Sequence, residues 1–176
     1  IFDYNADWAL KDYYMDPKPT PGYLTREQVL NFYGTLGVDG VEMTHNYWKD
    51  CSPEYVKNLA TDAGLPIMSY MFFVDMALPS TSERRKAVDH ARFLIDRTAA
   101  LGAPIAMIFP GESKNKIPSG QIREWAISGL RECAEHAHSV GVTLTIENID
   151  YAPWRPLHGT AAQCRSICEA VDHTSF

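Results

Sequence analysis

The chain has 176 residues, 45% of them hydrophobic and 22% charged, with a net charge of −6. This is the composition of one soluble globular domain, read here as 1–176, with room for a sizeable core. The acidic balance argues against a protein that grips nucleic-acid phosphates, and no apolar run approaches the roughly 20 residues of a membrane span.

The N-terminus opens Ile1-Phe2-Asp3 and lacks the layout of a signal peptide. A first strand is expected near 1–4, followed by a long aromatic loop carrying Trp8, Tyr13, Tyr14 and Tyr23. Aromatic faces beside polar groups suit the C–H surfaces of sugars, and equally a lid packed on a rim. Thr25-Arg26-Glu27-Gln28 is a capping box and opens a helix over 25–36. A strand follows over 39–43, then Ser52-Pro53 caps a helix over 53–63. Next come a strand over 66–73, a helix over 82–101, a strand over 104–109 and a helix over 120–140. A strand over 142–147 and a helix over 160–171, opened by a second capping box at Thr160–Gln163, complete the order.

Each of the later strands follows a helix that ends in Gly37, Gly64, Gly102 or Gly141. Glycine at that point suits the left-handed residue that closes a helix. Strand–helix alternation at this spacing implies a parallel sheet. No Gly-x-Gly-x-x-Gly follows any strand, so a dinucleotide site is not expected. The strand faces point to a barrel. Thr143, Thr145 and Glu147 share one side of their strand, and Gly40 and Glu42 share one side of theirs. Small or polar inward residues capped by a carboxylate suit a barrel mouth.

Glu147 closes an apolar strand and is followed by Asn148. A charge there is costly unless it is paired or coordinates a metal. The C-terminal ends of barrel strands are also where chemistry is placed. Glu42 and His45 fall at and just beyond an equivalent strand end, and His45 has acid/base capacity near neutral pH. Arg155 follows in the loop after Glu147 and suits an anionic or polyol group, with His158 close behind it. Candidate contacts to a substrate are therefore Glu42, His45, Asn148, Arg155 and Trp8. His90, His136 and His138 lie on helices and read as structural or exposed. The four cysteines, Cys51, Cys133, Cys164 and Cys168, have no Cys-x-x-Cys spacing. They read as free thiols, with Cys164 and Cys168 as small buried residues, in a reducing and so cytoplasmic compartment.

Gly-Val-Asp-Gly-Val-Glu at 37–42, Leu-Gly-Ala-Pro-Ile at 101–105 and Val-Gly-Val-Thr-Leu-Thr-Ile-Glu-Asn at 140–148 together resemble the sugar isomerase/epimerase superfamily. This is the group of xylose isomerase-like TIM barrels that includes ketose 3-epimerases, hydroxypyruvate isomerases and inosose dehydratases. The resemblance implies an α/β fold, a (β/α)8 TIM barrel of which this chain supplies about five βα units. It implies that Glu147 ligates a divalent metal (Mn, Mg, Co or Zn) and moves a proton. The remaining ligands, an Asp, a His and a Glu, are expected beyond Phe176. The implied reaction is isomerisation or epimerisation of a sugar or polyol, by proton transfer beside a carbonyl through a metal-stabilised enediolate. Alternatives left open are a lyase on the same fold, inosose dehydratase-like or C-glycoside-cleaving, and a non-catalytic module that has lost its metal site. Endonuclease IV-type nuclease chemistry would need extra histidines, and the 66–73 strand has none. The expected partner is a small sugar or polyol, with no nucleic acid and no membrane; self-association into a homo-oligomer stays open.

Overall fold

A computed structural model describes residues 24–112, 116–149 and 157–176. The strand expected near 1–4 and the aromatic loop with Trp8 lie outside the described residues. So does Arg155.

Helix α1 (Arg26–Thr35) starts at Thr25, whose side chain accepts from Gln28 N–H while the Gln28 side chain accepts from Thr25 N–H. Strand β1 (Val41–Thr44) leads straight into a four-residue helix, α2 (His45–Trp48). That helix is not anticipated from the sequence, where the stretch reads as rim loop. Helix α3 (Pro53–Asp62) is capped by Ser52 with Pro53 at its first position, as expected. Strand β2 (Ile67–Phe73), helix α4 (Thr81–Leu101), strand β3 (Ile105–Phe109) and helix α5 (Ser119–Ser139) follow. Strand β4 spans only Thr143–Thr145, so Glu147 stands two residues beyond it rather than at its last position. Helix α6 (Ala161–Val171) has the second capping box, at Thr160 and Gln163. The four helix-closing glycines, Gly37, Gly64, Gly102 and Gly141, all have φ between 69° and 76°.

The strands form one parallel sheet in the order β1-β2-β3-β4. The register makes two faces. Val41 and Met43, Tyr70 and Phe72, Ala106 and Ile108, and Leu144 point to the helices, each at most 3% exposed. Against them pack Val88, Ala91, Leu94 and Ile95 of α4 and Ile127, Leu130, Ala134 and Ala137 of α5. These stripes recur at the spacing that a buried helix face requires.

The other face begins with Glu42, Ser69, Ile105 and Thr143 in one row, and Met71, Met107 and Thr145 in the next. It is less closed: Ile105, Met107 and Thr145 are half-buried and Thr143 is exposed. The small or polar inward residues inferred from the sequence are on β1 and β4. The central strands put the large apolar Met71, Ile105 and Met107 on this face, with the small polar Ser69 among them. Cys168 is exposed rather than buried.

Candidate active site at the strand ends

Glu42 lies on the inner face of β1, and its Oε2 accepts the Ser69 hydroxyl of β2 at 2.7 Å. That bond satisfies a half-buried carboxylate in a place where an unpaired one would be costly. Glu147 is half-buried past the end of β4. Its carboxyl holds its proton more tightly than an ordinary glutamate, first because of burial and second because of the charge on Glu42. Two carboxylates that lie 105 residues apart in the chain thus sense each other's charge. Asn148 is exposed beside Glu147.

An aromatic row lines the neighbouring rim. Phe73 and Phe109, paired in the β2–β3 register, stack with ring centroids 4.4 Å apart and planes at 16°. One step of strand alternation past the Met107–Thr145 pair brings Glu147 toward the level of Phe109. His158 packs on Phe109 at 5.7 Å and is 1% exposed. Neither of its ring nitrogens has a hydrogen-bond partner among the described residues. Burial drops its pKa to about 4. Its carbonyl accepts Ile149 N–H at 3.2 Å and Leu157 N–H donates to Gly111 at 3.4 Å, so this short segment ties the loop after Glu147 to the end of β3. Gly111 has φ of 135° and no room for a side chain, since Asp75 Oδ1 lies 2.5 Å from where a Cβ would sit.

His45 is elsewhere. Its Nδ1 is 2.9 Å from the Tyr70 hydroxyl, and its ring meets His90 of α4 edge-on at 6.3 Å. Tyr70 belongs to the helix-facing side of β2, so His45 stands between sheet and helices, away from the face that holds Glu42 and Glu147. Desolvation, then the charges of Arg97, His90 and Lys49, lower its pKa to about 4. Arg97, 9% exposed in the apolar stripe of α4, completes this cluster and was not visible as a special residue in the sequence. Ser69 and the Phe73–Phe109 pair were missed for the same reason: their roles come from strand register, which a single sequence leaves unspecified. Glu112 is exposed, His136 pairs with Asp96 at 2.7 Å on the outer helices, and His138 is exposed.

Oxygen donors such as Glu147 and Glu42 have the chemistry of a hard divalent cation site, and a cation would relieve their mutual repulsion. Among the described residues, however, no group of three or more His, Cys, Asp or Glu side chains is placed to hold a metal. No described helix is long and apolar enough to cross a membrane.

The fold has many solved counterparts. D-allulose 3-epimerase from Methylomonas sp. superposes with a TM-score of 0.71 at 16% identity, over 85% of this chain and 54% of its own. L-ribulose 3-epimerase gives 0.74 at 20% identity, over 85% and 52%. A Sinorhizobium meliloti 1021 protein gives 0.67 at 26% identity, over 83% and 56%. The chain thus spans about half the length of these structures. No curated protein sequence matches it. The family described as "Xylose isomerase-like TIM barrel" matches residues 32–176. A parallel strand–helix alternation with Glu147 just past the end of β4, matched by that family over most of its length, makes this chain a member of the xylose isomerase-like TIM barrel family.

Proposed function

We propose that this chain is the N-terminal part of a longer barrel that isomerises or epimerises a sugar or polyol, with Glu147 as a metal ligand and proton-transfer group. The observation that carries the reading is the placement of Glu147: half-buried past a strand end, beside a second carboxylate, with a raised affinity for its proton. A carboxyl so tuned is suited to exchanging a proton with a carbon acid near neutral pH. Glu42, held by Ser69, keeps negative charge beside it, and the Phe73–Phe109 pair offers a flat apolar surface for the C–H face of a sugar ring or chain. Asn148, Arg155 and Trp8 are proposed to contact the substrate. When bound, a divalent cation would polarise the substrate oxygens and lower the cost of forming negative charge on them. Two described carboxylates do not complete such a site, and the remaining ligands are proposed to come from strands beyond Phe176. The structural neighbours named as 3-epimerases favour this reading of the fold over a purely structural module.

The test is made on the full-length protein. Metal analysis should find a stoichiometric divalent ion, and chelation should abolish epimer formation across a panel of ketoses and polyols. Glu147→Gln should lower kcat by at least about 100-fold, the lower range for loss of a general acid/base, and weaken metal retention. Absence of bound metal together with indifference to chelation would remove the catalytic reading. Release of water or an aglycone in place of an epimer would move the assignment to a lyase.

A further inference from the structure

Arg97 Nε donates to the Tyr70 hydroxyl at 2.9 Å, and that hydroxyl lies 2.9 Å from His45 Nδ1. The guanidinium has donors and no acceptor, so the Tyr70 oxygen accepts from Arg97 and its single O–H is left to donate to His45. His45 Nδ1 then carries a lone pair, since an N–H there would leave the buried Tyr70 O–H with no acceptor, and the imidazole is the neutral Nε2–H tautomer. The far end of the same guanidinium holds α2 from below: Arg97 Nη2 donates to the carbonyls of Trp48 at 2.8 Å and Cys51 at 2.6 Å. Helix α2 is thus clasped at its first residue through His45 and at its end through Arg97. Tyr70, 0% exposed, is the shared joint.

Every group facing His45 opposes a second positive charge. From α4 come Arg97 and His90, from β2 the un-ionised Tyr70, and from the end of α2 itself Lys49. Tyr70 is held un-ionised chiefly by its burial. Arg26 of α1 reaches the same helix end, donating to Tyr47 O at 2.6 Å and pairing with Asp50 at 2.8 Å; Cys51 Sγ, 3.1 Å from Arg26, lies beside it. Asp50 is thereby engaged by Arg26. A protonated His45 would place an N–H against a Tyr70 oxygen that already accepts one, and would leave the Tyr70 O–H without its acceptor in a dry site.

We propose that His45 is a proton-sensitive latch: neutral, it locks α2 onto β2 and α4 through Tyr70 and Arg97, and protonation releases that helix from the rim of β1. The device does not depend on the proposed activity. It assigns His45 to positioning the polypeptide after Glu42, not to contact with substrate.

Long-range ¹H–¹⁵N spectra of the histidine-labelled full-length protein at pH 7.5 should show His45 as the Nε2–H tautomer. Amide exchange over 45–52 should accelerate at least 10-fold between pH 7 and 5 after correction for the intrinsic pH dependence. In His45→Gln, whose amide oxygen accepts from Tyr70 without titrating, that acceleration should vanish while protection at pH 7 is kept. An Nδ1–H or charged ring at pH 7.5 would overturn the proposal. So would pH-independent protection of 45–52 in the wild-type protein, or an unchanged acceleration in His45→Gln. If the Gln variant does not fold, the tautomer and wild-type exchange profile still decide the matter.

Discussion

Tyr70 contributes through its hydroxyl as much as through its ring. The ring fills the helix-facing core, and the oxygen is the only described partner of both Arg97 Nε and His45 Nδ1. Tyr70→Phe keeps the shape and strips both partners. Two buried polar groups without hydrogen bonds cost about 1–3 kcal/mol each, and the stability lost should fall in that range or above it, read as a lower urea midpoint with an unchanged m-value. A loss below about 0.5 kcal/mol, the scatter of ordinary surface substitutions, would mean the hydroxyl is dispensable. The residue types at Glu42, His45 and Glu147 were legible as candidates for chemistry. Their separation into two faces follows from spacing: His45 follows Glu42 by three residues, an odd step that puts the two on opposite sides of a strand, and the short helix that starts at His45 keeps it there.

Helix and strand boundaries were legible wherever a local interaction sets them. Capping boxes, Ser52-Pro53 and the four helix-closing glycines act within a few residues, so their pattern survives in any context. Helix α2 escaped because its partner is distant, Arg97 lying in α4, and the early end of β4 carries no local signal: β4 stops at Thr145 although β3 runs on to Phe109. The packing of helix on helix is equally hidden. Gly34, near the end of α1, faces the backbone of Ala63 just past α3, and a Cβ there would lie 2.4 Å from the Ala63 carbonyl oxygen. Backbone cannot step aside as a flexible side chain can. Gly34→Ala should therefore destabilise by about 1–3 kcal/mol, more than the roughly 1 kcal/mol that alanine returns in helix propensity. Thermal unfolding measures the balance, and a raised midpoint would show that α1 and α3 separate more easily than their contact suggests.

The protein as a unit should be acid-sensitive. His45 and His158 are held near pKa 4 in the folded state, against about 6.5 in an unfolded chain. Between those values the unfolded state binds protons that the folded state refuses. The stability these groups permit is complete above about pH 6.5 and is lost as pH falls toward 4. Glu147, whose proton is held more tightly when folded, runs in the opposite sense with a single group. The unfolding temperature should fall steadily from pH 7 to 4.5, and a flat profile would contradict the burial of both rings.

Alternation of strand and helix, the parallel sheet it demands, the borders set by caps and closing glycines and the suspicion attached to a carboxylate after an apolar strand were all present in the linear chain, because each depends on neighbours within one βα unit. Which carboxylates sense each other and which aromatic rings stack depend on the pairing Glu42–Ser69, Phe73–Phe109 and Met107–Thr145. Those pairings join residues about 27 to 38 positions apart. Backbone hydrogen bonds join these pairs but are blind to side-chain identity, so register is decided only when the apolar face of the whole sheet packs against its helices.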